Sequence, residues 1–396
     1  MAAKQSHMTW LAPPPPGGGR SARASWPGGG DGSAASEARL SPHPGLPPAV
    51  RPSHCRGGWW CPIARSTTTE KSACAQRLVS IIAWAAAVFL ASSHATAQDW
   101  PTRLVRIVVP AAAGGSSDAA ARLVTNHFQA VFRQPFIIEN KPGNGNAMGA
   151  AFVAQADPDG YTLLVSNSAS NLTVPLVARN AGYDPVADFS HIVMLTSSPY
   201  VLAVYPRLGV KSLADFVAKA RVQKFSYTAA NRGGLGNIGG EYFQRLAGFS
   251  MQHVPYRGGG PAVADVNAGH VPAIFLPVTT VGEHVRSGAL VPLAITSQTR
   301  LRVFPDVPTF AESGYPELVL ASWFGLSGPK KLSPDIVARI NREARAFLKE
   351  PQMRKLADND ASEPLDTDAA EFTRYVAGEV ARWGEVVRAL DIKGEE

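Results

Sequence analysis

The sequence predicts an α/β protein whose folded part is divided into two lobes, each a mixed sheet flanked by helices. From about residue 100 onward, short apolar runs typical of strands alternate with helical patterns. Glycine-rich turns join several of these strands to the helix that follows. The stretch after Ala97 is 299 residues long, which is more than one compact core usually holds.

Residues 1 to about 70 form a low-complexity leader, with Pro13–Pro16, Gly17–Gly19 and Gly28–Gly30 interspersed with Ser, Ala and Arg. Such a composition buries too little apolar surface to offset its ordering entropy, so we expect disorder. Our hypothesis is that translation begins further downstream at a non-Met codon, which would make the leader a start-site artefact.

A signal peptide is expected over residues 71–97. The 13-residue run Leu78–Leu90 follows Lys71 and Arg77 and precedes the small-residue signal Ala95-Thr96-Ala97. This run matches a secretory h-region and is too short to span a bilayer comfortably. We therefore expect cleavage near Ala97 and a periplasmic location.

Charge and cysteine content exclude several classes of protein. The net charge of +7 comes largely from residues 1–97, and the remainder carries 29 basic and 28 acidic residues. No concentrated basic footprint for nucleic acid remains.

Cys55, Cys61 and Cys74 all precede Ala97. The sequence has no H-E-x-x-H or G-x-S-x-G motif and its histidines are scattered, so we expect no metal and no cofactor.

The strands are predicted from short apolar runs bounded by turn residues. They are Arg106–Val109, Phe136–Glu139, Tyr161–Val165, Tyr200–Val204 and Phe225–Thr228. Between them, helical spacing predicts Ser117–Val131, a helix ending at Ala154, Ser212–Ala220 and Asn237–Leu246. Further units, not assigned as strand or helix, are Pro261–Ala268, Ala273–Leu276, Val281–Ser287 and Val291–Ile295.

The C-terminal part is predicted to be helical. Ser333-Pro334-Asp335 combines an N-cap, a proline at the first position and an acid in the first turn. A second helix carries apolar residues at steps of three and four, namely Phe372, Val376, Val380, Trp383, Val387 and Leu390. Core packing is the favoured interpretation of this stripe, and a partner-docking face is the alternative.

Two glycine-rich turns are candidate anion sites. Gly114-Gly115-Ser116-Ser117-Asp118 follows a strand and opens a helix. The first-turn amides of such a helix are unpaired donors. A carboxylate there would gain about 0.3–1 kcal/mol from the helix end and about 1.5–3 kcal/mol per charge-assisted hydrogen bond. The alternative is an ordinary turn capped by Ser116 or Ser117. Asp118 is better explained as a loop-shaping carboxylate than as a ligand contact.

Arg232-Gly233-Gly234-Leu235-Gly236-Asn237 repeats this pattern later in the chain. Asn237 could reach a ligand or cap its helix, and both readings stay open. Arg232 and Arg257 are the cations beside these loops, and one bidentate arginine would suit a carboxylate. Tyr256 and Trp323 could each wall a cleft or fill the hinge region. The G-x-G-x-x-x-G spacing at Gly143–Gly149 predicts a turn with close helix packing rather than a dinucleotide site.

The chain resembles the substrate-binding proteins of tripartite tricarboxylate transporters, of the Bug or TctC type. The resemblance runs from Trp100 to about Lys393 and depends on an ordered set of segments. These include Trp100-Pro101, Ile107-Val108-Val109-Pro110, Ile138-Glu139-Asn140-Lys141-Pro142-Gly143, Asp157-Pro158-Asp159-Gly160-Tyr161, Val254-Pro255-Tyr256-Arg257-Gly258, Phe304-Pro305-Asp306-Val307-Pro308 and Ser322-Trp323-Phe324-Gly325.

This resemblance implies a periplasmic-binding-protein (Venus-flytrap) fold with a ligand in the cleft between the lobes. Lobe 1 would span 98–198 and 322–396, and lobe 2 would span 199–321. The implied function is a monomeric, non-catalytic receptor that delivers a small organic carboxylate to membrane permease subunits. The carboxylate could be a dicarboxylate, a tricarboxylate, an amino acid or an aromatic acid. The implied ligand-binding residues are Ala112, Ala113, Gly114, Gly115, Ser117, Asp118, Ser166, Asn167, Ser168, Gly233, Gly234, Gly236, Asn237 and Tyr256.

Two departures from the family concern specificity. Val271–Pro277 lacks both carboxylates of the family's Val-Asp-x-Met-Phe-Asp-type segment, and Asn237 stands where histidine is frequent. An apolar Leu276-Pro277 beside the cleft would favour a less polar, even aromatic, carboxylate. The competing class is an exported α/β enzyme acting on a small carboxylate. The two loops contain no nucleophile, base and acid set, which favours the receptor.

Overall fold

The computed structural model describes residues 100–360 and 362–394, so the predicted leader and signal peptide lie outside the described part. Its strands are β1 Val105–Val109, β2 Phe136–Asn140, β3 Thr162–Asn167, β4 Phe189–Val204, β5 Phe225–Thr228, β6 Met251–His253, β7 Ala273–Pro277, β8 Val291–Ile295, β9 Ala321–Pro329 and β10 Glu363–Pro364. Its α-helices are α1 Ser116–Phe132, α2 Ala147–Ala154, α3 Val174–Val177, α4 Leu213–Val222, α5 Leu235–Ala247, α6 Gly259–Asn267, α7 Val278–Arg286, α8 Pro334–Leu348, α9 Pro351–Asp360 and α10 Ala369–Leu390.

The strands form a mixed sheet with two halves. In the first half, β1 lies parallel to β2 and β3, and β9 runs antiparallel between β3 and β4. In the second half, β4 pairs antiparallel with β7 and β8, while β5 lies parallel to β6 and β7. The order across the sheet is β2-β1-β3-β9-β4-β7-β5-β6, with β10 and β8 also paired to β4. The prediction of mixed sheets flanked by helices is confirmed.

Strand β4 belongs to both halves. Its residues 189–199 pair with β9, and its residues 200–204 pair with β7. The sequence predicted a strand only from Tyr200 onward, which was too short. The missed part contains the buried polar residues Ser197 and Ser198 and ends at Pro199, so it lacks the apolar alternation of a strand.

The chain passes between the two halves of the sheet near Tyr200 and again near Leu320. A buried threonine, Thr296, bonds to both residues. The Thr296 hydroxyl accepts a hydrogen bond from the Tyr200 amide (2.8 Å) and donates one to the Leu320 carbonyl (2.6 Å). The Thr296 amide also donates to the Tyr200 carbonyl (2.9 Å), and the Leu320 amide donates to the Thr296 carbonyl (3.3 Å). Because Thr296 is fully buried, water cannot replace these bonds.

Helix α10 packs against both halves of the sheet. Phe372 meets Trp323 edge-on at 5.4 Å, in the core of the first half. Further along the helix, Trp383 meets Tyr242 edge-on at 6.0 Å and belongs to the core of the second half with Val387. The core-packing interpretation of the apolar stripe is confirmed. Trp323 is fully buried under α10, so it fills the core rather than walling a cleft.

Two local predictions have different outcomes. Helix α8 begins at Pro334 as predicted, but Ser333 makes no side-chain capping bond, so the expected N-cap hydrogen bond was wrong. Helix α2, which follows the glycine-rich turn, does pack closely, because a Cβ on Gly149 would lie 2.8 Å from the Cα of Pro110. That contact requires glycine at position 149 and explains the glycine spacing without a dinucleotide.

We expect Thr296→Val to destabilise the protein by about 1–3 kcal/mol, since it leaves the buried Tyr200 amide without its acceptor. Urea unfolding followed by circular dichroism measures the change. Thr125→Val is the matched control: the Thr125 hydroxyl is also buried, but it only donates to the Ala121 carbonyl within α1. If Thr296→Val and Thr125→Val unfold at the same urea concentration, the proposed role of Thr296 is contradicted.

Candidate ligand-binding site

The first glycine loop lies between β1 and α1. Gly114 has φ +83°, a left-handed conformation that glycine adopts without strain, and Gly115 is the extended N-cap of α1. Residues 112–116 are exposed. The amides of Ser116 and Ser117 have no acceptor among the described residues, and no side chain caps the helix. The loop therefore presents bare main-chain donors at the positive end of a 17-residue helix.

Asp118 holds this loop in shape. Its carboxylate accepts hydrogen bonds from the Gly114 amide (3.1 Å), the Arg122 guanidinium (2.9 Å) and the Asn140 amide group (3.3 Å). The Gly114 amide, followed by Arg122, lowers the pKa of Asp118 below its usual value. Asp118 is 1% exposed, and all of these contacts lie within the first half. The loop-shaping role expected for Asp118 matches this geometry.

The second glycine loop, before α5, uses the same arrangement. Gly233 has φ +70°, and Gly234 is the extended N-cap of α5. The Gly233 amide donates to Asn237 Oδ1 at 3.0 Å, so the acceptor again lies four residues further along. The amides of Leu235 and Gly236 have no acceptor among the described residues. Each half of the sheet thus carries a helix whose first amides have no acceptor among the described residues.

The Asn237 side chain is bonded within its own half. Besides accepting from Gly233, it donates to the Tyr227 hydroxyl (3.1 Å) and to Glu241 Oε1 (3.4 Å). The residue is 4% exposed. The helix-capping alternative for Asn237 was wrong, because its side chain accepts from Gly233 before the helix and no side chain caps α5. A contact of Asn237 with ligand stays a prediction.

The second loop is more enclosed than the first. A Cβ on Gly236 would lie 2.7 Å from the Phe275 carbonyl oxygen and 2.9 Å from Tyr200 Cε1. A Cβ on Gly233 would lie 2.9 Å from the Cα of Gly394 and 3.2 Å from Val177 Cγ2. Only glycine fits at these positions, because the neighbouring backbone approaches too closely for a side chain.

The segment after β3 connects to the first loop. Asn167 donates to the Ser117 hydroxyl at 3.2 Å, and its Oδ1 accepts from the Ala169 and Ser170 amides. The Ser168 hydroxyl lies 3.3 Å from that of Ser322. Ser166 is fully buried and accepts from Ser327 (2.9 Å), so its side chain is committed to the sheet interior. Asn167 is the member of this trio whose side chain bonds to another predicted site residue, Ser117.

Tyr256 lies beside the second loop, since its amide donates to the Ala230 carbonyl at 3.1 Å. Its hydroxyl donates to Asp265 at 2.5 Å, and burial followed by this acid raises the pKa of Tyr256 to about 12. Arg232 and Arg257 are exposed. Burial, with Arg232 nearby, lowers the pKa of His253 to about 4, so His253 is neutral at pH 7.

Sequence reasoning missed a group of polar residues where β4 changes partner. Ser198 and Ser322 are cross-strand partners, and Tyr200 follows two residues later on the same face. Ser198 accepts a hydrogen bond from the Thr279 amide at the start of α7 (3.2 Å). The available signal was the run of Ser197, Ser198 and Pro199 inside an otherwise apolar segment.

The described residues contain no cluster of three or more His, Cys, Asp or Glu side chains that could hold a metal ion. Within the same part of the chain, no helix is long and apolar enough to cross a membrane. Apart from the Asp118 carboxylate, the candidate residues offer backbone amides, hydroxyls and carboxamides, which can bind anions through hydrogen bonds.

We expect Asp118→Asn to lower the free energy of unfolding at pH 7, because the variant has no carboxylate to pair with Arg122. The folded-state pKa of Asp118 is lowered, so its contribution is complete above about pH 4 and is lost as the pH falls through the folded-state pKa. The difference in free energy of unfolding between wild type and Asp118→Asn should therefore become smaller as the pH falls. Urea unfolding at several pH values measures it.

Asp335→Asn, which changes an exposed first-turn acid of α8, serves as the control. At pH 7, Asp335→Asn should change the free energy of unfolding by less than Asp118→Asn does. A gap for Asp118→Asn that stays constant from neutral to acidic pH would contradict the proposed ion pair.

The loops and sheet described above have counterparts in known proteins. The profile of the family described as "Tripartite tricarboxylate transporter family receptor" matches residues 120–392. The chain is 33% identical over 320 residues to Protein BugT of Bordetella pertussis, a match that covers 80% of this chain and 98% of BugT.

Solved structures agree with this match. A protein from R. palustris, solved with adipate, superposes with a TM-score of 0.67 at 31% identity, covering 74% of this chain and 99% of that one. MatC from Rhodopseudomonas palustris, solved with bound malate, superposes with a TM-score of 0.63 at 28% identity, covering 73% and 100%. These neighbours confirm the two-lobed periplasmic-binding-protein fold, and the chain belongs to the tripartite tricarboxylate transporter receptor family.

Proposed function

We propose that this solute-binding receptor captures a small organic carboxylate between the two glycine loops and delivers it to the membrane permease subunits of a tripartite tricarboxylate transporter. The observation that carries the proposal is the repeated loop: on each half, a helix N-terminus with free amides is held open by a side chain four residues on. Relatives solved with adipate and with malate support a carboxylate as the ligand.

We assign lobe 1 to 98–198 and 322–396, and lobe 2 to 199–321. The change of pairing partner along β4, between Pro199 and Tyr200, supports the first boundary. The start of β9 at Ala321 supports the second. Thr296, which bonds to Tyr200 and Leu320, would then hold both crossings of the hinge.

The proposed location is the periplasm, after cleavage of the signal peptide near Ala97. The receptor would act as a monomer. Membership of a transporter receptor family supports both the location and a permease partner.

We infer that the receptor is not an enzyme. A serine and a histidine do meet, with Ser327 Oγ 2.9 Å from His191 Nδ1. However, both residues are at most 2% exposed, and burial lowers the pKa of His191 to about 4. A substrate could not reach this pair, and a base with such a pKa takes up protons poorly at pH 7. The exported-enzyme alternative therefore has no support from this contact.

The ligand class within the carboxylates follows from charge. Asp118 is paired with Arg122, so the first loop offers dipoles rather than a free cation. Leu276 is buried in a core cluster with Val278 and beside Tyr256, so it contributes apolar packing near the second loop. We keep the hypothesis that a less polar or aromatic carboxylate binds. A thermal-shift panel of adipate, malate, citrate, aspartate and benzoate tests it, and stabilisation only by the small polar acids would contradict it.

We expect Ser116→Pro to weaken binding of the stabilising acid about 10- to 100-fold. Proline at the first helical position removes one amide donor and is otherwise tolerated there, and the extended Gly115 suits a following proline. Loss of one hydrogen bond to a charged group accounts for the magnitude. Isothermal titration calorimetry measures the dissociation constant.

Ala369→Pro is the matched control, because Ala369 is the first residue of α10 and follows the extended N-cap Asp368. It should leave binding unchanged. Wild-type affinity in Ser116→Pro would refute the amide site at α1.

A further inference from the structure

The chain leaves helix α10 through a tight turn. Asp391 has φ +47°, and the Ile392 amide donates to the Val387 carbonyl at 3.1 Å. This is the Schellman pattern, in which the residue after a left-handed one bonds back to the last helical turn. Ile392 packs against the core cluster of the second half, to which Val387 belongs. We call residues 391–394 the α10 extension.

The α10 extension reaches the end of helix α3. The Gly394 amide donates to the Val177 carbonyl at 3.4 Å. Val177 is the last residue of α3, where helix carbonyls have no partner within the helix. A Cβ on Gly394 would lie 3.0 Å from Val177 Cγ2, so a side chain at position 394 would press on Val177. Gly394 is therefore held against α3.

Gly394 also lies against the second glycine loop. A Cβ on Gly233 would lie 2.9 Å from the Cα of Gly394 and 3.2 Å from Val177 Cγ2. The backbone of the α10 extension and the Val177 side chain thus support the loop from behind Gly233. Within the loop, the Gly233 amide is bonded to Asn237 Oδ1 at 3.0 Å. The position of Gly233 is therefore fixed both from inside the loop and from outside it.

These contacts cross the proposed boundary between the lobes. In that assignment Val177 belongs to lobe 1 and Gly233 to lobe 2, while α10 packs against both halves of the sheet. A loop of lobe 2 is thus supported by a residue of lobe 1 through the α10 extension.

We propose that Gly394 is a positioning residue for ligand binding: it supports Gly233 and so holds the first amides of α5 in the arrangement that binds the carboxylate. This inference rests on the proposed function, and it assigns a role to a residue that is far from both glycine loops in the sequence. A loop that is already held in its binding conformation loses less conformational entropy when the ligand binds, which raises the affinity.

Gly394→Leu tests this role in the purified full chain. The leucine side chain would meet Val177 and move the α10 extension away from Gly233. We expect the dissociation constant to rise about 10-fold for whichever of adipate, malate, citrate, aspartate and benzoate binds wild type, as measured by isothermal titration calorimetry. The urea concentration at half-unfolding should stay at the wild-type value, because Gly394 is a half-buried residue that follows α10.

Hydrogen exchange followed by mass spectrometry separates positioning from general destabilisation. In Gly394→Leu without ligand, amide exchange should be faster in peptides that cover residues 231–237 and unchanged in peptides that cover the first glycine loop, residues 112–118. Faster exchange throughout the protein would show a general loss of stability and would contradict a positioning role.

Lys393→Leu is the matched control, because it places the same side chain one residue earlier, where the lysine side chain is 77% exposed. The ion pair of Lys393 with Asp391 is also exposed, so its loss should have little effect. This control should keep wild-type affinity and wild-type exchange.

Gly394→Pro, which removes the amide bonded to the Val177 carbonyl, repeats the test. Wild-type affinity in both Gly394 variants, or an equal loss of affinity in Lys393→Leu, would overturn the role of Gly394. If no acid of the panel binds to wild type, the proposed function fails, and this inference fails with it.

Discussion

The structure depends on how one long strand satisfies its backbone hydrogen bonds in both halves of the sheet. Strand β4 leaves β9 and joins β7 within a single step of the chain, between Pro199 and Tyr200. At that step Thr296 supplies the bonds that a regular ladder would have supplied, to Tyr200 and to Leu320. A buried amide left unpaired there would cost about 1–3 kcal/mol, so the crossing requires a polar side chain in the core.

The two glycine loops have the same hydrogen-bond geometry but different charges. In both, a left-handed glycine turns its amide toward a side chain four residues on, which leaves the first helical amides free. Asp118 carries a charge in this role and is balanced by Arg122, whereas Asn237 is neutral and lies beside Glu241. The loops therefore present similar donors but sit in different electrostatic surroundings.

Most of the fold follows from local patterns. Strand Phe225–Thr228 has the predicted bounds, because an apolar run between turn residues is typical of a buried strand. The first part of β4 was not predicted, because its buried serines, Ser197 and Ser198, interrupt the apolar pattern of the strand. At the candidate site, the glycine loops were recognisable from composition, but Tyr200 and Ser322 were not, since their partners lie far away in the chain.

The sequence alone determined the α/β class, the two glycine loops and the buried face of the C-terminal helix, because each depends on neighbours a few residues apart. Tertiary structure decided which polar groups are free and which are already bonded. Ser166 and Asn237 look like ligand contacts in the sequence, yet Ser327, Tyr227 and Glu241 occupy their hydrogen-bonding groups. Such pairings connect residues from separate strands and helices, so only the folded chain brings them within hydrogen-bond distance.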